Sequence, residues 1–138
     1  MEDRYLFKAK RADNGEWVQG ALFNGESHCI IGQEIKFSPY TEHECKIVGH
    51  EVDRDTICQC TGLKDKNGKL IWENDIVRDE QGNFYKAFWQ NNYYQFSWVC
   101  VKTDVFLIGT KWDLWSIKSF EIEVIGNKFD NPELLEVG

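Results

Sequence analysis

"TGLKDKNGKLIWENDIVRDE", residues 61–80, is the most patterned stretch of this chain. It admits three readings: a catalytic site, a ligand loop, or a folding unit. Asp65-Lys66-Asn67-Gly68 supplies turn chemistry, because Asn-Gly adopts the positive φ values that a tight hairpin needs. Leu63 on one side and Leu70-Ile71-Trp72 on the other are the flanking apolar positions. Glu73-Asn74-Asp75 then reads as a second bend that feeds an Ile76-Val77 strand. The folding reading needs nothing beyond these residues, and it is preferred.

The same rhythm extends in both directions. Tyr5, Phe7 and Ala9 alternate with Leu6, Lys8 and Lys10, the period of two of a half-buried strand. Ala12 to Glu16 carries Asn14-Gly15 turn chemistry, and Trp17 to Phe23 is the return strand of an N-terminal hairpin. Asn24-Gly25-Glu26 breaks the chain before Cys29-Ile30-Ile31. Residues 38–55 carry no readable period. Phe84 to Trp89 and Tyr93 to Val101 flank Gln90-Asn91-Asn92 as another hairpin, with Tyr94, Phe96, Trp98 and Cys100 on its core face. Val105 to Ile108 reads as a short buried run ended by Gly109. Lys111 to Trp115 fits a helical turn or bend. Phe120, Ile122 and Val124 alternate with Glu121 and Glu123 as a final strand. Asn131 as N-cap, Pro132 at the first position and Glu133 in the first turn predict a short terminal helix that pins Leu134 or Leu135.

The totals agree with a β protein. The chain has 138 residues, enough for one domain with its own core, and 14% of them are aromatic, including six Trp. Large stiff rings favour pleated surfaces. No apolar run approaches the roughly 18 residues that span a bilayer. Met1-Glu2-Asp3-Arg4 lacks the basic and apolar regions of an export signal, so a cytoplasmic location is expected. The five cysteines, odd in number and irregularly spaced, then read as reduced thiols that fill the core.

Formal net charge is −7. Phosphate-binding proteins usually carry a positive surplus, because neutralising phosphates supplies most of their non-specific affinity. Arg4, Lys8, Lys10 and Arg11 form the only dense basic cluster, and the solvent face of a strand explains it more simply than a nucleic-acid patch. Nucleic acid is therefore the second choice of partner. An acidic, aromatic-rich surface suits a protein interface better.

Side chains able to do chemistry are present but unpatterned. His28, Cys29, His43, Cys45, His50, Cys58 and Cys60 include donors for zinc, yet the histidines show no pair at ligand spacing to match Cys58-Gln59-Cys60. No metal or cofactor is expected. G-x-S-x-G, the phosphate-cradling G-x-x-x-x-G-K and H-E-x-x-H are all missing. Asp53, Asp55, Glu73, Asp75 and Asp79 could gather round a divalent ion, but they read more simply as solvated turn residues. A non-catalytic role is expected.

Three blocks carry a family resemblance. The first is Tyr5 to Arg11 with Asp13 to Gly20. The second is Thr61 to Lys69 with Ile71, Glu73 and Asp75-Ile76-Val77. The third is Glu123 to Asn127 with Asp130 to Leu135. In that order they resemble the YopX family, small proteins carried by bacteriophages and prophages. The resemblance implies a single domain over residues 1–138, mainly β, with short antiparallel strands in coiled sheets. It also implies an SH3-like barrel element around Asp75-Ile76-Val77. It brings no activity and no catalytic residues. Its motif positions here are Gly62, Leu63, Asp65, Asn67, Gly68, Ile71, Glu73, Asp75, Ile76, Val77, Gly126, Asn127, Asn131 and Pro132. Cys60 stands where an aromatic is frequent, and position 58 is commonly small, so both cysteines read as packing choices. Asn74 stands where Gly is frequent, which points to a positive φ there. The expected partners are a second copy of the chain and an unidentified phage or bacterial host protein, with no membrane involved.

Overall fold

The computed structural model describes residues 3–37 and 45–135. The chain divides into two compact units, Met1–Gln59 and Cys60–Gly138. Both are β structures built from antiparallel strands, and the described helical segments are 3-10 turns of three or four residues.

The first unit contains β1 (Phe7–Lys10), β2 (Trp17–Asn24), β3 (Cys29–Phe37) and β4 (Cys45–Glu51), ordered β4-β3-β2-β1. The expected N-terminal hairpin is present, with Phe7 opposite Gly20 and Lys10 opposite Trp17. Residues 45–51, within the stretch that carries no readable period, form β4 in register with β3, Phe37 facing Cys45. Residues 38–44 of that stretch lie outside the described residues. Ala9, Cys29, Ile31 and Val52 make the unit's core, with Phe7, Val18, Leu22 and Ile57 packed on it. An isolated bridge from Arg11 to Val52 brings the end of β1 back beside the end of β4. Asp53 follows, and its carboxylate accepts the Asp55 N–H to cap the turn Arg54–Thr56. β5 (Cys58–Lys64) starts here, with Cys58 and Gln59 pairing to β1.

The second unit takes the rest of β5, which pairs with β6 (Leu70–Trp72) through Lys64–Leu70 and Cys60–Trp72. Its sheet contains β7 (Asp75–Arg78), β8 (Phe84–Gln90), β9 (Gln95–Lys102), β10 (Lys111–Asp113) and β11 (Glu123–Asn127), ordered β10-β9-β8-β7-β11. Trp98, Ile71, Val77, Tyr85, Ala87, Cys100 and Ile122 are its buried core.

Several expectations change at this level. Among the described residues the strands around Asp75-Ile76-Val77 do not close into the expected SH3-like barrel: β7 lies inside an open sheet whose two end strands do not pair with each other. The end strand β10 has only three residues before the chain turns into the 3-10 segment Leu114–Ser116, so it offers little ladder to close on. Tyr94 leaves the core face of its strand. It sits in the turn before β9 with φ of 52° and is 83% exposed, while Trp98 and Cys100 are buried as expected. Phe120 also stays out, in the 3-10 turn Ser119–Glu121, and the final strand starts only at Glu123.

The terminal helix is a 3-10 turn, Pro132–Leu135. The Asn131 side chain does not cap it. Its Oδ1 instead accepts the N–H of Asn127, behind it in sequence. A four-residue segment cannot repay the cost of nucleating an α-helix.

Candidate functional site

The motif residues have the geometry of a folding device. Asp65 is 5% exposed. Its Oδ1 accepts the N–H groups of Asn67 and Lys69, both at 2.9 Å, which closes the turn from inside. Its Oδ2 accepts the Val124 N–H at 3.0 Å. The neighbouring Lys66 N–H donates to the Ile122 carbonyl, so the turn is tied to the start of β11. Burial alone would raise the Asp65 pKa, but the three N–H donors and nearby Lys69 together outweigh it and hold the carboxyl below its usual range. Gly68 has φ of 80°, with open space where a Cβ would stand.

The rest of the motif behaves alike. Ile71, Ile76 and Val77 are fully buried, and Leu63 packs on the core. Gly62 has φ of 84°. Glu73 is half-buried beside Asn74, whose φ of 71° is the special conformation expected there. Asp75 overturns its reading as a solvated turn residue: it is 2% exposed, and its Oδ2 accepts the Trp72 N–H at 2.8 Å. The carboxylate is therefore used to set the bend between β6 and β7. In the third block, the space at Gly126 is filled by Asn131, whose side chain comes within 2.5–3.0 Å of where a Cβ would lie. That fit lets Asn131 reach Asn127, and Pro132 opens the turn that follows.

The other candidates do not converge. Lys8 and Lys10 both place Nζ over the Trp17 ring, at 4.7 and 5.5 Å. Arg11 forms a two-pronged ion pair with Asp13. The side chain of Arg4 lies outside what is described. Asp79 accepts the Gln81 and Asn83 N–H groups, the Asn83 amide and the Tyr85 hydroxyl. Burial works against ionisation of Asp79, yet these donors keep its pKa low, while burial and then Asp79 push the Tyr85 phenol up. His28 Nδ1 meets Glu51 Oε1 at 2.9 Å on the surface. The thiols of Cys29, Cys58 and Cys60 contact Asn24 Oδ1, the Thr56 carbonyl and the Ile71 carbonyl. Burial, ahead of its other influences, raises the Cys100 thiol pKa, which disfavours a nucleophilic thiolate. His43 lies outside the described residues. Among the described residues no three His, Cys, Asp or Glu side chains are grouped to hold a metal ion.

Two surface features of the second unit were not legible in advance. The Val105–Ile108 run is not buried: the four residues are 74, 44, 82 and 52% exposed. The loop that carries them is nevertheless well held. Thr103 Oγ1 accepts the Val105 and Phe106 N–H groups and donates to Asn83. Thr110 donates twice to the Leu107 carbonyl, through its N–H and its hydroxyl. Phe106 meets the Trp112 ring edge-on at 5.2 Å, and Trp112 meets Tyr85 at 5.5 Å. The result is an ordered apolar projection.

The second feature is a groove of about 620 Å³ beside the β8–β9 turn, lined by Gln90, Tyr93, Gln95, Lys111, Trp112, Asp113 and Ser116. Its residues come from the β8–β9 hairpin end, the edge strand β10 and the 3-10 segment after it, so no local motif signals it.

This architecture defines a mainly β protein with two antiparallel units and a motif that works in folding. The chain belongs to the YopX family: the family's model, described as YopX protein, matches residues 6–136. Among solved structures it is similar to protein EF1440 from Enterococcus faecalis, with 26% identity, a TM-score of 0.62, and 94% of this chain and 96% of that one covered. A search of the curated proteins finds no match. Among the described residues no helix is long and apolar enough to cross a membrane.

Proposed function

We propose that this chain is a phage- or prophage-derived, non-catalytic module that works in the bacterial cytoplasm by binding a host or phage protein, and that it acts as a homo-oligomer. The observation that carries the reading is the loop Val105–Ile108, whose apolar side chains face solvent although the backbone beneath them is pinned by Thr103 and Thr110. Exposing contiguous apolar groups opposes solubility, so such a patch marks a contact surface. Holding the loop in one conformation also reduces the ordering cost of binding. Trp115 at 81% and Phe120 at 65% exposure add aromatic surface of the kind interfaces favour.

The nucleic-acid reading draws less support. Arg11 is committed to Asp13, and the two lysines lie over Trp17.

The test is affinity purification from phage-infected cells with the wild-type chain and a Leu107→Asp variant, alongside sedimentation equilibrium of both. A stoichiometric partner retained by the wild type and lost by a folded Leu107→Asp variant is the expected result. No stoichiometric partner, or one that Leu107→Asp retains, would sink the binding proposal. A monomer at every concentration would sink the oligomer.

A further inference from the structure

We propose that the groove beside the β8–β9 turn binds a neutral saccharide ring through a vicinal diol. Gln95 is the centre of the argument. Its Nε2 donates to Asp113 Oδ1 at 2.6 Å and to Ser97 Oγ at 3.3 Å, which uses both amide hydrogens. That leaves Oε1 as the amide's remaining acceptor. Asp113 keeps Oδ2 as a second acceptor, because it makes no side-chain capping bond to the turn that follows it. Because the two side chains are hydrogen-bonded to each other and both line the groove, their remaining acceptors suit two neighbouring hydroxyl donors. A hydroxyl also accepts, and Gln90 and Lys111, whose ammonium lies 6.0 Å from the Phe88 ring centroid, bring donors to the groove lining. A diol satisfies both kinds of group at once, whereas a carboxylate or phosphate would meet Asp113.

Charge and shape point the same way. Lys111 and Asp113 offset each other, so the groove has no net charge to reward an ionic ligand. Tyr93, 67% exposed, offers a ring whose face can cover the C–H side of a sugar while its hydroxyl stays wet. A volume of about 620 Å³ lies within the usual range for small-molecule sites.

The experiment titrates the full chain with the methyl glycosides of glucose, galactose, N-acetylglucosamine and rhamnose, followed by amide NMR and tryptophan fluorescence. Adenosine and 2′-deoxyadenosine form the comparison arm, since ribose also carries a vicinal diol. At least one glycoside should give saturable shifts concentrated in residues 90–97 and 111–116. Tyr93→Ala and Asp113→Ala should each weaken that binding at least tenfold. Leu107→Asp should leave it unchanged, which separates this site from the apolar loop. Tyr93 is a surface residue, so its variant remains informative if Asp113→Ala disturbs the edge strand. No glycoside shifts at millimolar concentration, binding indifferent to Tyr93→Ala, or binding by adenosine alone would each overturn the proposal.

Discussion

Asp65 and Val124, 59 residues apart in sequence, are joined by a carboxylate–amide hydrogen bond of 3.0 Å. The same carboxylate closes its own turn through Asn67 and Lys69. One side chain thus couples the β5–β6 turn to the strand β11. Replacing it with alanine leaves three partly buried N–H groups without their acceptor, each costing up to the order of 1–3 kcal/mol. Asp65→Ala should therefore lower unfolding stability by about 3 kcal/mol, given partial relaxation. Asp65→Asn keeps the shape but turns an amide donor toward at least one of the three N–H groups, so it should rescue only part of the loss. Urea unfolding of the three proteins checks the order.

Acid should reach the same bonds. Asp65 and Asp79 both have folded pKa values below those of ordinary carboxylates, because N–H and O–H donors outweigh the cost of burial. A depressed folded pKa means the unfolded chain takes up protons first as pH falls. The stabilisation is thus complete above the unfolded value, near 3.9, and is lost as pH drops through the folded one. Melting temperature against pH should fall more steeply below about pH 4 in the wild type than in Asp65→Ala or Asp79→Ala. Equal acid slopes would contradict the assignment.

Gly126 and Asn131 make a second pair whose meaning is steric. A Cβ at 126 would stand 3.0 Å or less from the Asn131 side chain, and that side chain holds the Asn127 N–H. Gly126→Ala should push Asn131 away and lose the bond, costing about 1–2 kcal/mol. Asn131→Ala removes the same bond and also the two closest atoms of the clash, leaving only Cβ at 3.0 Å. The double variant should consequently be more stable than the sum of the single losses predicts. Thermal unfolding of the cycle measures the coupling, and strict additivity would disprove the link.

How much could be read beforehand depended on the range of the interaction. The N-terminal hairpin and the positive φ at Asn74 are local consequences of residue type and are present, whereas in the Asn67-Gly68 turn only Gly68 takes the positive φ expected of both residues. Asp65 was visible only as a turn former, because its bond to Val124 depends on a strand far along the chain. Asp75 reads as solvated for a related reason: its burial depends on a backbone partner, the Trp72 N–H, that residue type alone does not reveal. Val105–Ile108 failed in the opposite sense. Four apolar residues in a row read as core, and nothing local reveals that Thr103 and Thr110 hold them outward. The groove has no sequence signature because Gln95 and Asp113 meet only through β9–β10 pairing.

Asn74 and Gly68 both occupy left-handed backbone, at φ of 71° and 80°, and they should respond differently to substitution. Nothing lies within 4 Å of a Cβ built at Gly68, so a side chain there meets no clash and pays only for its dihedral angles. For an L-residue that cost is roughly 1–2 kcal/mol. Valine, branched at Cβ, should stand at the upper end, and Gly68→Val should lower the melting temperature. At Asn74 the order of replacements is the informative quantity. The backbone there is committed, its N–H donating to the Ala87 carbonyl and its carbonyl accepting from Lys128. The positive φ cannot relax without breaking those bonds. Asn74→Ala should therefore be more damaging than Asn74→Gly, although alanine retains more side chain, because only glycine adopts the angle without strain. If thermal unfolding ranked alanine above glycine, backbone conformation would not be what selects the residue at this bend.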